Sequence, residues 1–106
     1  MARVLVNIPT KVAKGSAFEV RVLIAHPMES GQRHDDGGVA ISRDIIRSFS
    51  CTYNGTLVLE ADLYPAIAAN PFLSFQLRAV ESGPVVFTWV DDHGAIGTET
   101  AQVVVG

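Results

Sequence analysis

The side chains with the most chemistry crowd into one stretch, "AHPMESGQRHDDGG", Ala25 to Gly38. His26, Met28, His34, Asp35 and Asp36 are all metal-binding types. The chain also holds a single cysteine, Cys51, and a third histidine in "DDHG", Asp91 to Gly94. A blue-copper centre needs two His, a Cys thiolate and a weak axial ligand such as Met. His26, His34, Cys51 and Met28 supply those types, but Cys51 falls mid-strand and no His follows it until His93, so the order of ligands is wrong. Asp35 and Asp36 are adjacent, so on an extended chain they diverge, and the alternating acids and closing Glu of a helix–loop–helix calcium site are missing. "HDDGG" and "DDHG" read instead as solvated turns, where Asp and Gly tolerate the left-handed conformation and make local hydrogen bonds.

Nucleophilic catalysis requires a Ser or Cys beside a base held by a third group. Cys51 with His26 or His93 is the one such pairing open. An inward-facing strand Cys lacks the partly exposed, electropositive setting that activates a thiol, so Cys51 is expected to be a small buried hydrophobe beside Phe49 and Tyr53. No glycine-rich phosphate loop is present. These readings predict no catalytic residue, no cofactor and no metal.

The elements that would position these residues have a period of two, not 3.6. Val4, Val6 and Ile8 alternate in "RVLVNIP", and Phe18, Val20, Val22 and Ile24 in "AFEVRVLIAH". Phe49, Cys51 and Tyr53 share one face of "IIRSFSCTY". Asn54-Gly55 then marks a hairpin into "TLVLEAD". "FLSFQLRAV", "PVVFTWV" and "GTETAQVVV" complete seven strands, while "TKVAKGSA" reads as a crossing segment. Turn signals between short Val-, Ile-, Thr- and aromatic-rich strands argue for an all-β fold, an immunoglobulin-like antiparallel β-sandwich forming one domain over residues 1–106. Helix is limited to a turn in "ISRDII" or "YPAIAAN". Two connections are long, Pro27 to Ser42 and Leu63 to Pro71, and long loops in compact domains are often functional.

With 106 residues the chain can bury a core without disulfides or metals. A net charge of −3 carries no basic face for nucleic acid. No apolar run reaches the ~18 residues of a membrane span, and "MARVLVNIPT" lacks the apolar core of a signal peptide. The hydrophobic fraction, 48%, is high for so small a domain, which points to apolar surface facing a partner. "LYPAIAANPFL" concentrates that excess, and it reads either as a plug on the sandwich's open end or as a contact surface.

Four segments, "HPMESGQR", "SFSCTYNG", "ADLYPAIAANPFLSF" and "FTWVDDHG", occur in this order and at these spacings across nearly the whole chain. Together they resemble the SoxZ family, one subunit of the SoxYZ carrier of bacterial thiosulfate oxidation. The resemblance implies a non-catalytic, immunoglobulin-like scaffold in a periplasmic heterodimer, exported with a signal-bearing SoxY partner. In that complex the partner's cysteine, on a Gly-rich C-terminal arm, carries sulfur intermediates among the other Sox enzymes, which make transient contacts. The tail "TAQVVVG" has no Cys, in keeping with the scaffold role. His26, Met28 and Arg33 of the polar loop and Tyr64, Ile67 and Phe72 of the apolar one are the candidate partner-binding residues. The alternatives are a cupredoxin-like metalloprotein and a stand-alone sandwich binding module.

Overall fold

The computed structural model describes residues 3–64 and 70–106. It holds eight strands: β1 (Arg3–Asn7), β2 (Lys11–Val12), β3 (Ala17–Ala25), β4 (Ile46–Tyr53), β5 (Thr56–Asp62), β6 (Phe72–Arg78), β7 (Gly83–Asp91) and β8 (Ile96–Val105). They form a three-stranded sheet in the order β1-β3-β6 and a five-stranded sheet in the order β2-β8-β7-β4-β5. The all-β sandwich expected from the alternation is the architecture observed. One element differs. The crossing segment before β3 contributes the two-residue strand β2, which pairs parallel to the end of β8. Two residues are too few to show a period, so the alternation could not reveal it.

The alternation sorts side chains as a half-buried sheet requires. Phe18, Val20, Val22 and Ile24 of β3 face Phe49, Cys51 and Tyr53 of β4 and Val85, Phe87 and Trp89 of β7, all buried. Phe49 stacks on Phe87 with ring centroids 6.2 Å apart, and Phe18 meets Tyr53 edge-on at 6.1 Å. Asn54 and Gly55, at φ 51° and 79°, make the tight turn between β4 and β5, as the Asn-Gly pair predicts. The Tyr53 hydroxyl donates to the carbonyl of Glu81 and accepts from the amides of Val80 and Glu81, tying this hairpin to the β6–β7 turn.

The connection from Pro27 to β4 is a narrow ladder lying back on itself. Glu29 and Asp44 exchange backbone hydrogen bonds of 2.8 and 2.9 Å, and Ile41 donates to the Arg33 carbonyl at 2.8 Å. At its tip, Asp35 Oδ1 accepts from the amides of Gly37 and Val39, so "HDDGG" is an exposed turn. "ISRDII" forms no helical turn. The turn expected in "YPAIAAN" falls mostly outside the described residues.

Candidate functional site

The end of β3, the start of β4 and the β7–β8 turn enclose a cleft of about 410 Å³. Its walls include His26, Asp44, Trp89, Asp91, His93 and Gly97. Each is held by its own local chemistry. The His26 backbone donates to Asn70 Oδ1 at 3.1 Å and accepts from the Asn70 amide at 2.7 Å, pinning the end of β3 to the start of β6. The His26 ring is buried, and its Nδ1 accepts from the Met28 amide at 3.0 Å. A nitrogen that accepts carries no proton, so in the neutral ring the proton resides on Nε2. Met28, at φ 51°, turns its thioether into the core, where Sδ accepts from the Ile46 amide at 3.2 Å.

The two carboxylates are equally fixed. Asp44 is set by its backbone pairing with Glu29. Asp91 Oδ1 accepts from the amides of His93 and Ala95, both at 2.9 Å, which shapes the β7–β8 turn. Arg43 clamps the neighbouring Asp92 with two bonds of 2.7 and 2.8 Å, and Asp92 Oδ2 also accepts from the Ile45 amide. The Arg43 guanidinium holds the Asp92 carboxyl below the usual carboxylate range. Gly97 is required at the floor, because a Cβ there would lie 2.2 Å from the Trp89 ring. His26 Nε2 lies 3.6 Å from Asp44 Oδ1, and His93 Nδ1 lies 3.9 Å from the same oxygen. One donor atom each from His26, Asp44 and Asp91 fall within 4.8 Å of one another.

The residues singled out in the sequence are distributed differently from expectation. His26 and Met28 are buried, which corrects the reading of their side chains as surface contacts: they brace the polar loop from beneath. Arg33 is exposed and paired with Glu29 at 2.6 Å. Tyr64 and Phe72 are 63% and 59% exposed, while their neighbours Leu63 and Leu73 pack against the core. At each described end of the apolar segment one residue thus turns inward and its neighbour outward. Ile67 lies outside the described residues. Phe72 pairs with Leu23, which pairs with Leu5, and directly paired residues share a face. These three make an apolar row on the outer face of the small sheet, beside a shallow groove that also includes Ile8 and Arg21. Sequence reasoning missed Leu5 and Leu23, since an apolar row running across strands leaves no trace along any one strand.

Cys51 faces the core with Phe49 and Tyr53, as the alternation predicts. Burial pushes its thiol up to about 11. Among the described residues its hydrogen-bonding neighbour is the Thr52 carbonyl at 3.9 Å, so neither His26 nor His93 is a base for it.

The model of the family described as "Sulphur oxidation protein SoxZ" matches residues 6–102. The chain belongs to the SoxZ family. No curated protein matches it. Among solved structures, this SoxZ-family chain is similar to the superoxide reductase (neelaredoxin) from Ignicoccus hospitalis, at 19% identity and TM-score 0.76, covering 97% of this chain and 80% of that one. It is also similar to the sulfur carrier protein SoxY from Chlorobium limicola f thiosulfatophilum, at 16% identity and TM-score 0.68, covering 97% and 78%. A putative superoxide reductase from Thermotoga maritima matches at 13% identity and TM-score 0.74, covering 97% and 85%. At these identities the likeness is one of fold, and it places the SoxZ-family chain and a SoxY on the same sandwich.

Proposed function

We propose that this chain is the non-catalytic scaffold of a two-subunit sulfur carrier, pairing with a SoxY-type subunit whose cysteine bears the sulfur intermediates of thiosulfate oxidation. Family membership supplies the context, and Cys51 is the observation that carries the division of labour. A carrier thiol must be reachable and ionised to take up sulfur. Cys51 is fully buried, and with its thiol near 11 only about one molecule in 10⁴ is ionised at neutral pH. The reactive sulfur therefore belongs to the other subunit. The periplasm, with export in company with that subunit, is the setting this reading requires.

The partner's seat in this proposal is the outer face of the small sheet. Leu5, 68% exposed, and Phe72 are its anchors, with Tyr64 from the apolar connection. Aromatic and aliphatic anchors of this kind dominate interface energies. Co-expression with a SoxY-type chain tests the assignment. The expected result is a one-to-one complex by native mass spectrometry, with sulfur adducts confined to the partner's cysteine after exposure to thiosulfate and the carrier-loading enzymes. Recovery of this chain alone, or a sulfur adduct on Cys51, overturns it.

A further inference from the structure

We propose that the cleft between β3, β4 and the β7–β8 turn is a divalent-cation site, with Asp44, Asp91 and His93 as ligands and His26 as the positioning residue beside Asp44. The inference is independent of the pairing proposed above.

Charge is the first observation. Asp44 and Asp91 bring carboxylate oxygens within 4.8 Å of each other in partly buried positions. Among the described residues no Lys or Arg pairs with either carboxylate. Arg43 is committed to Asp92, Arg33 to Glu29 and Arg21 to Glu19. Arg47 reaches the Asp91 carbonyl, not its carboxylate. Two like charges this close favour a cation between them.

The second observation is an orphaned acceptor. Asp44 Oδ1 is fully buried and has no hydrogen-bond partner. Buried polar atoms are otherwise almost always satisfied, and the exceptions call for an explanation. The two imidazoles beside it, His26 Nε2 at 3.6 Å and His93 Nδ1 at 3.9 Å, are too distant for good hydrogen bonds. The His93 spacing suits two ligands of one ion instead, since ligand atoms ~2.0–2.2 Å from a metal lie roughly 3–4 Å apart.

The third is the tautomer of His26. Its side chain is 8% exposed and its Nε2, aimed at Asp44, makes no hydrogen bond. The Met28 amide occupies Nδ1, so Nε2 keeps its proton and is not a ligand. Its Nε2 lies 3.6 Å from Asp44 Oδ1, placed to donate to that carboxylate once an ion draws the group together, as outer groups do for metal-binding carboxylates. The ligand atoms are then two carboxylate oxygens and one imidazole nitrogen. That set suits zinc, manganese or ferrous ions and offers no thiolate to cuprous ion. The frame is preorganised by the Asp91 turn bonds and the Glu29–Asp44 pairing, while the exposed His93 ring is free to turn onto the ion.

Calorimetry of the chelator-stripped full chain with zinc chloride, and visible spectra of its cobalt(II) adduct, test the site. The expected result is one ion per chain. Asp44→Asn and His93→Ala should each weaken it about tenfold or more and alter the cobalt spectrum. His34→Ala, on the exposed loop, should change nothing. His26→Gln, which keeps a donor, should hold more affinity than His26→Leu. Circular dichroism identifies the folded variants, and Asp91→Asn gives an independent removal of charge. Absence of zinc binding, or an affinity indifferent to Asp44→Asn, Asp91→Asn and His93→Ala, overturns the proposal.

Discussion

A thiol without water around it and without a cation beside it is a poor nucleophile, and Cys51 is in that position. Its role is to fill space between Phe49 and Tyr53 on the inner face of β4. Cys51→Ala should cost ~1–3 kcal/mol in a denaturant titration, the range for losing a small buried group. The pH dependence has a definite sign. The folded thiol, near 11, binds its proton more tightly than the unfolded one. Its contribution is complete below the ordinary thiol range and is lost as pH rises from about 9 towards 11. The wild type should therefore lose stability over that window relative to Cys51→Ala, by at most ~3 kcal/mol. Equal pH profiles for the two proteins, or rapid alkylation of the native thiol, would show that Cys51 is not buried. This residue was legible in the sequence because its neighbours two positions away are aromatic. The Asp44–Asp91–His26 cluster was not. Its members come from three separate parts of the chain, and the spacing arguments applied to His34, Asp35 and Asp36 address a loop that proves to be an exposed turn.

At the scale of elements, β3, β4, β7 and the Asn54-Gly55 hairpin were readable because each buries one face and the pleat writes that into alternate residues. Sheet membership was less readable. Which strand lies beside which depends on long-range pairing, such as β4 between β5 and β7, and local pattern carries little of that. The β7–β8 connection illustrates the difference. "DDHG" announces a turn, yet only the folded chain shows Arg43 reaching Asp92 across it and the Trp89 ring lying on Gly97. Position 97 is accordingly a sharp test of how β7 and β8 pack. Gly97→Ala places a methyl group where the indole now sits, so the ring or the β8 backbone must shift. Overpacking of this kind costs ~1–3 kcal/mol. A drop in thermal stability with altered tryptophan fluorescence is expected. Trp89→Leu should relieve the clash, so the double variant should be more stable than the sum of the two single effects allows.

For the molecule as a whole, apolar side chains divide between those that complete the chain's own core and those that stand open to solvent. Leu63 and Leu73 belong to the first kind and Tyr64 and Phe72 to the second, within one short segment. The apolar excess in the composition pointed to such a surface. The row of Leu5, Leu23 and Phe72 shows how strand pairing assembles apolar residues from three strands into one face. Because Phe72 and Tyr64 are mostly exposed, truncating them removes little from the isolated fold. Phe72→Ala and Tyr64→Ala should shift the melting temperature of the isolated chain by no more than about 2–4 °C, since surface changes mostly fall within ~0.5 kcal/mol. The same variants should weaken the complex with a SoxY-type subunit by ~2 kcal/mol each if they are central anchors. Leu5→Ala should follow Phe72→Ala, because the two lie on one face. Measuring affinity and melting temperature on the same proteins separates the cases. A fall in melting temperature with unchanged affinity would make the segment a lid on its own core and move the partner's seat to another face of the sandwich.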